Sequence, residues 1–428
     1  MSGGSMGAHP VTVPEPDLPA MSYPEAVRFL YSLGNEIPTA KFDLERITRL
    51  LDALGNPQRA CRFVHVAGTN GKGSTCAMIE AGLRAAGVRT GLYTSPHLIE
   101  PTERIQIAGT PITPEKFARA FDQVRRTAER LLSSGELDLH PTYFETVTAM
   151  AFLLFRQEGV DRVVLEVGLG GRLDATNVVN PEICVITPVD LDHQFFLGNT
   201  IEQIAAEKAG ILKPGVPAVF AKQREDAEAV LRAGAKGPAL FARDHSVQDL
   251  RLHARGSSFR LHGREIICPL AGEHQVENAL TAALALEQLG IAPDGIAQTH
   301  WPGRLEQVSE RPAIILDGAH NPAGARALAR YIQTFYGQRR IWIVFGVMRD
   351  KAVEEITEVL FPLADCVILT APQNSRAMLP EQIPAHRAVV THGVSEAIQR
   401  TKEAHPEDAV FITGSLFVVG EARALFVK

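Results

Sequence analysis

A short apolar run, Phe63–Val66, leads into Ala67-Gly68-Thr69-Asn70-Gly71-Lys72-Gly73-Ser74, and a helical stretch over Thr75–Ala86 follows and stops at Gly87. A strand, a glycine-rich turn and a helix in that order constrain the fold more than any other part of the chain. The arrangement sets backbone N–H groups and a helix N-terminus where they can hold phosphate. Glycine lets the backbone approach phosphate oxygens with no Cβ in the way. Lys72 can neutralise charge on β- and γ-phosphates, and Thr69, Asn70, Gly71, Gly73 and Ser74 complete a candidate ATP-binding loop. Ser74 and Thr75 can cap the helix or meet a metal-bound phosphate. The common phosphate-loop pattern has Gly where Val66 stands and Ser or Thr where Gly73 stands. A ligand-free glycine turn is the plain alternative, and a lysine inside the glycines argues against it.

The surrounding texture points to an α/β protein. Two amphipathic helices are expected at Pro24–Leu33 and Leu44–Leu54, and buried strands at Val160–Val167 and Ile183–Pro188. Short apolar runs alternating with helices predict a mostly parallel, doubly wound sheet. Phe259–Cys268 alternates about His262-Gly263 and reads as a β-hairpin, with a helix over Val276–Gln288 after it. Gly290–Pro302 reads as a linker. Strands then resume at Ala313–Leu316, Ile341–Phe345, Cys366–Leu369 and Ala409–Ile412. The expected organisation is a leader over 1–22, a phosphate-loop domain over 23–300 and a smaller Rossmann-like α/β domain over 301–428. The Gly-, Ser- and Pro-rich leader is expected to be disordered, with Met6 or Met21 as alternative starts.

Composition narrows the function classes. With 428 residues there is room for two or three domains. Lys and Arg number 43 against 49 Asp and Glu, a net charge of −6, which argues against a duplex-binding surface. Five scattered cysteines with no CxxC pair argue against a disulfide framework or zinc site and fit a reducing, cytoplasmic setting. No apolar run approaches the roughly 18–20 residues that span a bilayer.

The loop Ala67–Ser74 resembles that of the Mur ligase superfamily, in the form carried by folylpolyglutamate synthases and the bifunctional dihydrofolate synthase/folylpolyglutamate synthases. The resemblance runs on through Tyr93–Leu98, Glu103–Ile105, Glu166–Asn177, Leu191–His193, Glu207–Ile211 and Asp317–Pro322. It implies an ATP-dependent ligase that forms an acyl phosphate and then an amide with L-glutamate. The acceptors would be 7,8-dihydropteroate, giving dihydrofolate, or reduced folates, whose glutamate tail grows. It implies Mg²⁺, two ions, held by Ser95, Glu166, His193 and a carbamylated Lys208, with Lys72, Lys208 and His193 as the catalytic set. Asn278, Arg304 and Asp317 would bind ATP from across a cleft. Thr142, Tyr143, Phe144 and Glu145, with Leu173, Asp174 and Ala175, would hold the pterin, and His320 and Ser415 the incoming glutamate. A monomer with small-molecule partners only, binding neither nucleic acid nor membrane, is expected.

Each of these residues also has a plainer reading. Glu166 ends a buried strand and could cap a loop. His193 could satisfy backbone groups. Lys208 reads as a solvated helix residue, Arg304 as a linker ion-pair partner, and Asp317 as a helix cap. Thr142 reads as the cap of a helix starting near Thr146, with Glu145 favourable against its dipole. The competing activities are folylpolyglutamate synthesis alone, or a peptidoglycan-precursor Mur ligase. The latter would need a nucleotide-sugar domain, and only about 60 residues precede the loop. A non-catalytic ATP-binding module would not need Ser95, Glu166, His193 and Lys208 together.

Overall fold

The structure is a computed structural model that describes residues 21–34, 43–385 and 387–427. Up to Ala20, the expected leader lies outside these residues. The first lobe is built on β1 (Arg62–Ala67), β2 (Thr90–Tyr93), β3 (Ile105–Ile107), β4 (Thr110–Pro111), β5 (Arg162–Glu166), β6 (Ile183–Ile186), β7 (Ala218–Phe220) and β8 (Ala239–Phe241). They form one sheet in the order 4-3-2-5-1-6-7-8. All its pairings are parallel except β2–β3 and β3–β4.

Both faces of this sheet are covered, which is why its strands read as continuous apolar runs rather than alternating ones. Phe63, Val163 and Leu165 point into a core shared with α1 (Tyr23–Ser32), α2 (Glu45–Ala53), α4 (Pro114–Ser133) and α5 (Tyr143–Gln157). Val64, Val66 and Val164 point the other way, against α3 (Lys72–Ala85) and α9 (Glu273–Gln288). Each fully buried Phe or Leu here contributes roughly 1.5–3 kcal/mol. Strands β2, β4 and β7 are too short to show a period of their own.

The hairpin is as expected: β10 (Gly256–Leu261) and β11 (Arg264–Cys268) pair antiparallel, with His262 and Gly263 both at positive φ in the turn. An edge strand, β9 (Gln248–His253), completes this three-stranded sheet. The expected linker Gly290–Pro302 is partly structured: Pro293–Gln298 forms a 3₁₀ turn lying on α3. A Cβ at Gly295 would come within 2.8 Å of Gly82 Cα, so glycine permits that contact.

The second lobe has a six-stranded sheet of β12 (Glu306–Glu310), β13 (Ala313–Leu316), β14 (Ile341–Phe345), β15 (Cys366–Leu369), β16 (Val389–Val390) and β17 (Ala409–Thr413). Its order is 12-13-17-14-15-16, parallel apart from β12–β13. Two cores flank it, one with α10 (Pro322–Tyr336) and α11 (Val353–Leu360), the other with α12 (Val394–Arg400) and α13 (Leu416–Phe426). Among the described residues no helix is long and apolar enough to cross a membrane.

Candidate active site

The carboxyl ends of β1, β5 and β6 face the second lobe across a cleft of about 450 Å³. Ligands of open α/β sheets bind at this edge. The helix after the phosphate loop starts at Lys72, earlier than the Thr75 read from sequence, because Gly71 at φ +83° turns the chain into it at once. Lys72, Gly73 and Ser74 therefore occupy the first turn, where N–H groups lack helical partners. A Cβ on Gly68 would fall 1.8 Å from Thr187 Oγ1, so only glycine fits there. A Cβ on Gly71 would fall 2.2 Å from Asn278 Oδ1. Asn278 donates to Gln275 Oε1 at 2.9 Å, and Gln275 donates to Ser74 Oγ at 3.2 Å, tying α9 to the loop.

Two lysines converge on this loop. Lys72 Nζ donates to the Gly68 and Thr69 carbonyls, both at 3.2 Å. Lys208, on α7 (Ile201–Ala209), donates to the Gly68 carbonyl at 2.8 Å. The reading of Lys208 as a solvated helix residue is corrected: it is 3% exposed. Burial, helped by Lys72, pulls its ammonium down to about 7. Glu166, 4% exposed, accepts from Ser95 N at 3.0 Å. Burial raises its carboxyl against the opposing pull of Lys72. His193, at φ +51°, lines the same cleft. Burial draws its imidazole down to about 4, with Asp192 opposing.

From the second lobe come Arg304, Asp317 and His320. Arg304 lies on the cleft wall, where its charge favours ionised Glu166 and Asp317. Asp317 is not the cap of α10. Asn321 caps it by accepting from Gly324 N at 2.9 Å, while Asp317 accepts from Leu305 N and Ala319 N, both at 3.0 Å. His320 lines the cleft, but Ser415 does not: it is 2% exposed and caps α13 through Val418 N.

A second, smaller cavity of about 170 Å³ lies wholly in the first lobe. Thr142, Phe144, Glu145, Leu173, Asp174 and Ala175 line it. The helix α5 begins at Tyr143, not near Thr146, because Thr142 and Glu145 form a reciprocal capping box. Glu145 also accepts from Arg46 Nε at 2.8 Å. Tyr143 turns away and is buried at the edge of the core, its ring stacked on the exposed Tyr31 at 5.7 Å. The aromatic on the wall is Phe144, whose ring sits so close to Gly168 that a Cβ there would be 2.4 Å away. Asp174 accepts from Leu169 N and from Thr176, and burial raises its carboxyl. The two cavities share a wall made by Gly168, Leu169, Gly170 and Leu197. Asp43, Arg46 and Phe196 on the smaller cavity had no sequence signal, since each is an ordinary polar or apolar residue until the chain folds; Glu207, also on it, opens the Glu207–Ile211 motif.

Comparison with known proteins places the chain in a family. Residues 66–286 match the Mur ligase middle domain, and residues 303–416 the Mur ligase glutamate ligase domain. The chain belongs to the Mur ligase family. Within that family it is 37% identical over 424 residues to the folylpolyglutamate synthase of Lacticaseibacillus casei, covering 94% of this chain and 98% of that one. The dihydrofolate synthase/folylpolyglutamate synthase of Bacillus subtilis is 36% identical, over 89% of this chain and 94% of its own. The Mycobacterium tuberculosis folylpolyglutamate synthase solved with ADP and AMPPCP superposes with a TM-score of 0.86 at 33% identity, covering 95% of this chain and 99% of that chain.

Proposed function

We propose that this Mur ligase family member is an ATP-dependent ligase that joins L-glutamate to 7,8-dihydropteroate and to reduced folates. The observation that carries the reading is the shared wall: a phosphate-loop cleft and an aromatic-lined cavity meet across Gly168–Gly170. An acid held in the smaller cavity would present its carboxylate at the cleft. The relatives named for folate ligation, similar along nearly their whole length, support the substrate class. The family matches support 23–300 as the nucleotide lobe and 301–428 as the glutamate lobe.

In this reading Lys72, Asn70, Gly71, Gly73, Ser74 and Thr69 hold the phosphates, with Asn278, Arg304 and Asp317 completing the ATP site. The acceptor carboxylate takes the γ-phosphoryl group, ADP remains, and the glutamate amine displaces phosphate to form the amide. Closed lobes exclude the water that would hydrolyse the acyl phosphate. Phe144 offers a face for the pterin ring, and Thr142, Glu145, Leu173, Asp174 and Ala175 surround it. His320 stands on the second-lobe side for glutamate; Ser415, engaged as a cap, would act only by holding α13 in place.

Ser95, Glu166, His193 and Lys208 line one stretch of the cleft. Among the described residues no three His, Cys, Asp or Glu side chains form a metal-binding group. That donor set does not make an all-protein cage. It fits Mg²⁺, which keeps waters and takes phosphate oxygens beside one or two carboxylates. Glu166 and Ser95 would hold it, with His193 and a carbamylated Lys208 nearby, and it would supply neutralisation of phosphoryl charge. A buried lysine drawn down to about 7 keeps a substantial neutral fraction at neutral pH, and the neutral amine is the form that carbamylates.

The test is phosphate release from ATP with dihydropteroate or tetrahydrofolate, glutamate and Mg²⁺. Release should require all of them together, and the product should gain one glutamate by mass. Equal ATP turnover without any acceptor would refute the assignment.

A further inference from the structure

Side-chain hydrogen bonds cross between the lobes on two sides of the cleft. On the phosphate-loop side, Asn321 donates to Asn70 Oδ1 at 2.9 Å. On the other side, Lys351 Nζ donates to Asp192 Oδ1 at 2.8 Å. Lys351 lies in the loop after β14 and Asp192 in the loop after β6. Their side chains are 9% and 13% exposed. Asp192 and its neighbour His193 line the cleft, whereas Lys351 is not on its wall. Lys351 therefore reaches the site through Asp192.

Asp192 governs the segment that follows it. The same Oδ1 accepts from His193 N at 2.9 Å. His193 at φ +51° and Gly198 at φ +107° bracket the single turn α6 (Gln194–Leu197). A non-glycine residue in that conformation persists only where its surroundings hold it. From α6, Leu197 lines both cavities and Phe196 lines the smaller one. The cation in hydrogen-bond contact with Asp192 sits on the opposite lobe: Lys351 Nζ is at 2.8 Å, with His193 Nε2 and His320 Nε2 farther off at 3.9 and 4.0 Å.

Taking the smaller cavity as the acceptor site, as in the function proposed above, we propose that Lys351 is a positioning residue. By clamping Asp192 when the lobes meet, it sets α6 and so couples the nucleotide cleft to the acceptor cavity. Bound nucleotide holds the lobes together, the pair is kept, and the wall shared by the two cavities keeps its working shape.

The experiment measures acceptor binding by calorimetry, with and without the non-hydrolysable analogue AMPPCP, in the full chain and in Lys351→Met, Lys351→Arg and Asp192→Asn. In the parent chain AMPPCP should tighten acceptor binding about fivefold or more. Lys351→Met and Asp192→Asn should lose that gain, and in Lys351→Met, which lies off the cleft wall, AMPPCP affinity alone should change less than about twofold. In turnover, the acceptor KM should rise while the ATP KM holds. Lys351→Arg, which keeps the charge and a donor, should restore most of the coupling. Full coupling in a Lys351→Met chain with a native circular dichroism spectrum would overturn the proposal. So would an arginine variant as defective as the methionine one. If Lys351→Met fails to fold, Asp192→Asn and Lys351→Arg decide by the same criteria. A parent chain that turns over no acceptor would fail the functional assignment instead, a different result from intact turnover with undiminished coupling.

Discussion

The cleft and the smaller cavity share a wall, but they are built differently. The cleft takes residues from both lobes, with Lys72, Glu166 and Lys208 facing Arg304, Asp317 and His320. The smaller cavity uses the first lobe alone, from Asp43 to Glu207. Both carry charge and glycine backbone, but the smaller one is also closed by the rings of Phe144 and Phe196, over a capping box. A site divided between lobes can be assembled and dismantled by their movement. A site within one lobe keeps its walls and can be tuned only where the two meet, at Gly168–Gly170 and Leu197.

That contrast can be broken by substitution. The largest effect is expected from Lys72→Ala, which removes the cation of the cleft while leaving its helix intact. Turnover should fall on the order of 10²–10³-fold, with the melting temperature nearly unchanged. An active Lys72→Ala enzyme would take the phosphate chemistry out of the cleft. Next comes Gly68→Ala. Its methyl group has no room beside Thr187 and its φ is +147°, so denaturant titration should show a loss of about 1–3 kcal/mol. A stable variant would mean the loop is less tightly built than the geometry requires.

On the other side of the wall, Phe144→Ala should weaken acceptor binding by about 0.5–1.5 kcal/mol beyond its lost contact area. The ATP KM should hold in the same assay. A matching rise in both constants would erase the distinction between the two cavities. Thr142→Ala should cost about 1 kcal/mol of stability by breaking the capping box, read as a lower denaturation midpoint.

The last effect is absent at neutral pH and appears only in acid. His65, buried in β1 and bonded to Thr176 at 2.9 Å, is pulled by burial, and then by Lys213, down to about 3. The unfolded chain therefore takes up this proton first, near the ordinary value of about 6.5. Stability should fall as pH drops from there toward 3 and be unaffected at neutral pH. His65→Leu should flatten that slope relative to the parent; parallel slopes would assign the acid sensitivity elsewhere. Since Thr176 also donates to Asp174, this strand histidine also supports the smaller cavity from behind.

Much of this was legible because its signals are local. A strand, a glycine turn and a helix lie consecutively in Phe63–Ala86, and the hairpin at His262-Gly263 announces itself through alternation and turn chemistry. The second lobe's strands show as apolar runs because helices cover both faces of its sheet. What stayed hidden depends on distant partners. Nothing in Ala205–Ile211 says that Lys208 is buried against Gly68, 140 positions away. Tyr143 and Phe144 are adjacent aromatics, and only the start of α5 at Tyr143 decides that the first enters the core and the second the cavity wall. Asp317 and Asn321 are both good helix caps by type, and the structure shows that Asn321, just before Pro322, takes that role.

The order of residues thus determined the chemistry on offer: a phosphate loop, a strand-end carboxylate and two α/β lobes, all properties of short neighbouring segments. Tertiary structure decided which groups meet. Burial is a property of the assembled layers, and so are the lowered Lys208 ammonium, the Lys351–Asp192 bridge and the wall between the cavities, because each arises where segments far apart in the chain exclude water together.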